Sequence, residues 1–272
     1  MNEHARDGIK QRGSGGGSDL AKLTVVTATQ RDRYCQLNDR LQASQLPVFL
    51  NHDEVVARYW DSLTERFPEY QFLLVDGTGE PLGRGHSIPL RFDDAWSNLP
   101  DGGLDWALET GLQDQEDGRE PNLVSALFIV ISKDHLGRGL SYRMLTAMRK
   151  IAGEQGLEHL IAPVRPSSKS QFPLIPMEDY CRWTRPDGSP FDPWIRVHIR
   201  CGGTMLHPCS QAMVVRDTVA RWSHWTGIEF PGDGSYVVPG GLVPLVVDRC
   251  TDQGAYLEPG VWILHRTDAS NE

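Results

Sequence analysis

The chain has no apolar run approaching the ~20 residues that a membrane-spanning helix needs, and its first residues lack the apolar stretch of a secretory signal. Membrane insertion and export are therefore not expected, and a cytoplasmic location is. Cysteine is sparse. Five residues (Cys35, Cys181, Cys201, Cys209 and Cys250) are scattered, odd in number and form no Cys-x-x-Cys pair. Reduced thiols are expected, with no disulfide frame, no zinc site and no metal. Positive charge is also short: 27 Lys and Arg stand against 36 Asp and Glu, a net charge of −9. That balance argues against nucleic acid or an anionic membrane as the partner. No Gly-Lys-Ser/Thr closes a P-loop, and neither a Gly-x-Ser-x-Gly elbow nor a dinucleotide fingerprint is present. No internal repeat is visible.

What is present is ordinary globular material: 272 residues, 39% hydrophobic and 23% charged, enough for one large domain or two small ones. Residues 1–20 read as a flexible polar tail. Leu23 to Ala28 is a β-branched run and a first strand. Arg33 to Ser44 is a short helix, and Asn51, with Glu54 three residues on, starts a longer one that Pro68 ends. Tyr70 to Val75 and Pro81 to Phe92 form a hairpin about Asp76 to Gly79. Its second strand puts Gly83, Gly85, Ser87 and Pro89 on one face, where another element or a ligand approaches closely. His86 sits on the other face, either as a hydrogen-bonded sheet histidine or as a catalytic group.

Asp93 to Pro121 is a long acidic insertion. Trp96, Trp106 and Leu108 are candidates to cap a pocket, and Asp105, Glu109, Glu116 and Glu120 to attract a cationic amine; a solvated acidic surface is the plainer alternative.

The chain is organised around 125–152. Ala126 to Ser132 is apolar on both faces, as a covered central strand is. The turn His135 to Ser141 carries Gly137 and Gly139. The helix beyond it places Met144, Leu145, Met148, Ile151 and Ala152 on one stripe. A strand leading through glycines into a helix start makes an anion site, because the first helical N–H groups have no intrahelical partner and the dipole adds positive charge. An ordinary tight turn has the same local pattern.

Leu157 to Val164 is the next strand, completing a crossover, and a Pro-rich connection, Pro166 to Pro190, follows. Asp192-Pro193-Trp194 starts a helix that ends at Gly202-Gly203. Thr204 to Leu206 and Gln211 to Val215 read as a closing hairpin. Asp217 caps a short helix. Tyr236 to Val238, Leu242 to Val247 and Tyr256 to Leu264 read as further short strands, with Pro-Gly-Gly and Glu-Pro-Gly turns.

The turn resembles the pyrophosphate loop of the GNAT superfamily of acyl-CoA N-acyltransferases, Arg/Gln-x-x-Gly-x-Gly/Ala. Leu136-Gly137-Arg138-Gly139-Leu140-Ser141 matches it at Gly139, with Ser141 for Gly/Ala and Leu136 for Arg/Gln. The family's fourth helix, Leu-Tyr-x-x-x-Gly-Phe, is similar to Val197-His198-Ile199-Arg200-Cys201-Gly202-Gly203, with His198 at the Tyr position. The similarity covers 122–215 by motif and 23–92 by element order. Over the whole chain it is to uncharacterised bacterial members with a C-terminal extension.

The resemblance implies an α/β (α+β) fold: a mixed, mostly antiparallel sheet flanked by helices, with the fourth and fifth strands splayed. It implies a GNAT domain over 21–215, with insertions at 93–121 and 166–190, and a C-terminal helix and β extension over 216–272 packed on the same domain. Acetyl-CoA or another acyl-CoA is the co-substrate and the amine of a small molecule the acceptor; a homodimer is compatible with this reading. The diphosphate falls to Leu136, Gly137, Arg138, Gly139, Leu140, Ser141 and Tyr142, and the acyl carbonyl to the main chain near Ile129, Val130 and Ile131. His198 takes the place of the Tyr that protonates the thiolate, and Glu120 is the candidate base. Lys169 is a candidate contact for a CoA phosphate. The rival readings are an inactive GNAT-shaped module that binds acyl-CoA or a protein, and a protein-lysine acetyltransferase.

Overall fold

A computed structural model describes residues 22–42 and 46–267; the tail expected over 1–20 lies outside them. The elements are β1 (Thr24–Thr27), α1 (Arg31–Arg40), α2 (Glu54–Tyr59), α3 (Leu63–Arg66), β2 (Gln71–Val75), β3 (Pro81–Leu90), α4 (Gly103–Glu116), β4 (Leu123–Ile131), α5 (Leu140–Glu154), β5 (His159–Val164), α6 (Met177–Cys181), α7 (Pro193–Arg200), β6 (Thr204–Asp217), α8 (Val219–Thr226), β7 (Gly234–Tyr236), β8 (Leu245–Asp248) and β9 (Gln253–Arg266). Short 3-10 turns link several of them.

Among the described residues nine strands form one sheet in the order β1-β2-β3-β4-β5-β9-β8-β7, with β6 also on β9. Among the described residues only β4 and β5 run parallel; every other pair is antiparallel. The mixed, mostly antiparallel sheet flanked by helices is the fold the sequence implies, and it does carry extra C-terminal strands.

Helix α5 packs on the small face of β3. A Cβ at Gly83 would stand 2.6 Å from the Val130 carbonyl oxygen, and one at Gly85 2.4 Å from the Phe72 ring, with Met144 and Met148 of α5 next in line. The close approach expected at this face is therefore that of a helix. On the opposite face α4 lies across β3 and β6. About half of the acidic 93–121 segment is thus a packed helix, with Leu108 fully buried, and not a lid. Trp96 stacks on Phe92 and packs tilted against His159, and Trp106 meets Phe92 and Trp262 edge-to-face.

Three local expectations change. The helix predicted from Asn51 to Phe67 is broken into α2, a 3-10 turn and α3, and its cap is Asp53, whose Oδ1 accepts from Val56 N at 2.9 Å. Thr218, not Asp217, caps α8. The hairpin expected over 204–215 is one bulged strand, β6, whose partner β9 comes from the end of the chain. Such pairing leaves no local signal, because the two strands are joined through α8, β7 and β8.

Asp53 and Asp105 lock α2, α4 and β6 together. Both accept from Val214 N, at 2.8 and 3.2 Å. Burial first, and the neighbouring Asp53 carboxyl second, push Asp105 up to about 9, so it is protonated at neutral pH.

Candidate active site

The site begins with a failure of strand pairing. β4 and β5 pair only at Val124–Leu160 and Ser125–Ile161. Immediately beyond, His86 pairs with Phe128 and Ser87 with Ala126, so Leu127 is an extra residue in β4. A bulge bends its strand and breaks the ladder. β5 stays on β9 from His159 to Val164, and its Pro163 has no N–H to offer β4. The two strands therefore part, and a cavity of about 360 Å³ opens between them. Ala126 to Ile131 form one wall and Ala162 to Arg165 the other. Ile129, Val130 and Ile131 line it, with peptide groups that no longer meet a neighbouring strand on that side.

One end of the cavity reaches the glycine turn, where Leu136 and Ser141 line it. Gly137 has φ +77° and Gly139 φ +73°, the left-handed region glycine favours. A Cβ at either would meet nothing within 4 Å. Gly139 is the N-cap of α5. No side chain caps this helix and its first turn holds no acidic residue. Its N–H groups are thus left for an anion from outside, which fits a diphosphate. Arg138 and Tyr142 are exposed at this end, and Leu136 is 59% exposed. Leu140, by contrast, is buried under the helix.

His198 also lines the cavity, beside Trp194, whose ring lies 4.4 Å away. The Asp192 cap of α7, accepting from Trp194 N and Ile195 N, sets this helix as predicted. His198 is 1% exposed; its Nδ1 is 2.9 Å from His265 Nε2, and its own Nε2 has no protein partner. Burial first and His265 second hold His198 well below the usual histidine range, while burial lowers His265 to about 4. Both rings are neutral at pH 7, so His198 offers a hydrogen bond more readily than a proton.

The lining also includes residues that sequence reasoning missed. β9 leaves β8 at Ala255 and joins β5 only at Val261. Between them Glu258, Pro259 and Gly260 have no strand on that edge and line the cavity instead. A proline is tolerated there for the same reason. Glu258 is 2% exposed and accepts from Arg165 Nε and from the Tyr256 hydroxyl. Arg165 also donates to the Gly240 carbonyl at 2.7 Å, and Tyr256 accepts from Leu242 N at 2.7 Å. Burial raises the Glu258 carboxyl, and Arg165 pulls it back. The available signal was a lone Glu inside the apolar run 255–264, which reads locally as a turn.

Two candidates stand elsewhere. Glu120 is exposed at the closed end of β4, before the strand begins, and is not part of the cavity lining; its carbonyl accepts from Arg91. Lys169 is fully buried, donating to the Phe172 and Leu242 carbonyls at 2.8 and 2.7 Å, and is held below the usual lysine range by desolvation. It is a structural tie and is not available to a CoA phosphate. Asp105, Glu109 and Glu116 are likewise outside the lining.

The site is thus a split parallel strand pair, walled by a bulged strand and reaching an uncapped helix start. No protein-family model matches the chain. The chain is 30% identical over 287 aligned positions to the arginine N-acetyltransferase avaD of Aspergillus versicolor, covering 92% of this chain and 98% of that one. Among solved structures it is similar to the loading GNATL domain of CurA from Lyngbya majuscula, with a TM-score of 0.53 at 15% identity, over 90% of this chain and 96% of that domain. It is also similar to the GphF GNAT-like decarboxylase in complex with isobutyryl-CoA, with a TM-score of 0.49 at 14% identity, over 90% and 98%. The chain belongs to the GNAT superfamily, and within it is an acyl-CoA N-acyltransferase. Among the described residues no helix is long and apolar enough to cross a membrane.

Proposed function

We propose that the chain transfers an acetyl group from acetyl-CoA directly to the amine of a small amino-bearing metabolite, with Glu258 as the proton acceptor. The observation that supports this is the place of Glu258: among the described residues it is the sole carboxylate that lines the cavity. The relative named above acts on arginine, so L-arginine leads the acceptor panel, followed by other amino acids and simple amines.

In this reading the N–H groups of Gly137 to Tyr142 hold the diphosphate, and Leu136 supplies an apolar wall without charge. The peptide edge of Ile129 to Ile131 polarises the acyl carbonyl. The amine nitrogen attacks, forming the C–N bond. Glu258 takes the nitrogen's proton as the C–S bond breaks, and the thiolate leaves to be protonated from solvent. His198 steadies that thiolate through Nε2–H, in the tautomer where His265 Nε2–H donates to His198 Nδ1. Holding both substrates in one cavity supplies much of the rate through proximity. Glu258 takes over the base role assigned to Glu120 from sequence. All these groups come from one chain, so a homodimer would carry two complete sites. A donor held as a CoA thioester and five free cysteines suit a reducing, cytoplasmic compartment.

The test is thiol release from acetyl-CoA across the acceptor panel. Glu258→Gln is expected to lower kcat/KM by about 10²–10⁴ while leaving CoA affinity near wild type. The wild-type rate should rise with pH through the raised Glu258 carboxyl, since only the ionised form accepts a proton. Full turnover in Glu258→Gln would remove it from the chemistry. His198→Ala is expected to cut turnover by about tenfold or more and to spare CoA affinity, as loss of one hydrogen bond to a charged group does.

A further inference from the structure

A second cavity, of about 320 Å³, lies between α1, the α2–α3 segment and β3. Helix α1 turns Tyr34, Cys35 and Asn38 towards it, and β3 supplies Arg84 and His86. Three polar atoms of these residues are buried without a protein partner: the Tyr34 hydroxyl, Arg84 Nε and His86 Nε2. Tyr34 is 3% exposed and His86 5%.

Their hydrogen-bond roles can be assigned. Gln71 Nε2 donates to the Phe67 and Ser87 carbonyls, which leaves Gln71 Oε1 to accept from His86 Nδ1 at 2.8 Å. The proton of the neutral ring therefore sits on Nδ1, and Nε2 is a bare acceptor. Burial, and Arg84 beside it, keep the ring neutral by lowering its pKa to about 3. Arg84 Nη1 donates to Asn38 Oδ1 at 3.0 Å. No ion pair among the described residues includes Arg84. The wall thus presents two donors, one carrying a formal charge, and one acceptor. Each such group left unsatisfied costs on the order of 1–3 kcal/mol, and native interiors rarely gather several without a purpose.

We propose that this cavity is a second binding site, separate from the acyl-CoA cavity, for a small amino or hydroxy acid. Its carboxylate lies along Arg84 Nε–H and the Tyr34 hydroxyl, an arrangement suited to the guanidinium edge. Its amino or hydroxyl group, a few ångströms away, donates to His86 Nε2. Asp61, also lining the cavity, favours the amino form, while Glu65 is paired with Arg31 of the same wall at 3.2 Å. Trp60 lines this cavity, and its ring lies 5.0 Å from His86 and 6.0 Å from Phe128, which lines the other. The inference does not depend on which amine accepts the acyl group.

The experiment titrates the full chain, saturated with CoA, with glycine, L-alanine, L-serine, L-lactate and L-arginine, read by calorimetry and tryptophan fluorescence. At least one probe is expected to bind saturably. Its carboxamide or methyl ester, and the variant Arg84→Gln, should each weaken that binding by about tenfold or more, while Glu258→Gln leaves it unchanged. Tyr34→Phe should weaken it too, with no loss of thermal stability, because the hydroxyl it removes has no partner. Absence of binding by every probe overturns the inference. So does binding lost in Glu258→Gln but kept in Arg84→Gln, which would place the probe in the acyl-transfer cavity. A Tyr34→Phe protein that melts lower, with probe binding intact, also overturns it and marks the cavity as water-filled structure. CoA affinity and thiol release are read separately, so failure here leaves the transfer reaction standing.

Discussion

Replacing Asp105 by Asn should make the protein less sensitive to alkaline pH. The Asn keeps an oxygen for Val214 N and offers an N–H to Asp53, so it imitates the protonated carboxyl that burial and Asp53 enforce. The sign follows from linkage. Asp105 has an ordinary value of 3.8 and a folded value of about 9. Between those values the folded state holds one proton more than the unfolded state, so stability is full below the lower value and falls as pH rises towards the upper one. The limiting slope is about 1.4 kcal/mol per pH unit. From pH 6 to pH 8 the wild type should therefore lose up to about 2.7 kcal/mol that Asp105→Asn does not lose. For a chain of this size that is roughly 5 °C in Tm. Thermal melts of both proteins at pH 6, 7 and 8 measure it directly. The gap in Tm should widen in favour of the variant as pH rises. Parallel curves, or a variant that becomes relatively weaker at pH 8, would show that Asp105 is ionised in the fold and refute the reasoning.

Two further outcomes follow from the same physics. Gly139→Ala forces an alanine to φ +73° at the start of α5; it should cost about 1–2 kcal/mol of stability and weaken CoA binding further, because its methyl stands where the diphosphate approaches, which calorimetry with CoA will report. Lys169→Met should destabilise by about 2–5 kcal/mol in denaturant titration, since it orphans two buried carbonyls.

The sequence exposed those parts of the fold whose signals are local. The apolar run at 126–132, the glycines at 137 and 139 and the stripe from Met144 to Ala152 each follow from neighbouring residues, and they located the central strand, the turn and α5. The cap at Asp192 was legible for the same reason. What stayed hidden depends on distant pairing. The bulge at Leu127 is created by how β3 meets β4, and Leu127 itself is an unremarkable apolar residue. The insertion of β9 between β5 and β6 joins segments separated by α8, β7 and β8. Glu258 looked like part of a turn because Pro259 and Gly260 follow it; only the gap between β8 and β5 lets that sequence remain a strand and puts the carboxylate on the cavity. Conversely, Lys169 and Glu120 had suitable chemistry in the sequence, but the fold buries one and leaves the other at the closed end of β4.

The most direct test of the central account is single-turnover incubation of the protein with acetyl-CoA and L-arginine, then with each amine of the panel, following free thiol and the mass of the amine together. The account predicts thiol release matched one for one by an N-acetylated amine, and its loss in Glu258→Gln. Tight CoA binding with no acetylated product from any amine, or thiol release that persists unchanged in Glu258→Gln, would contradict it.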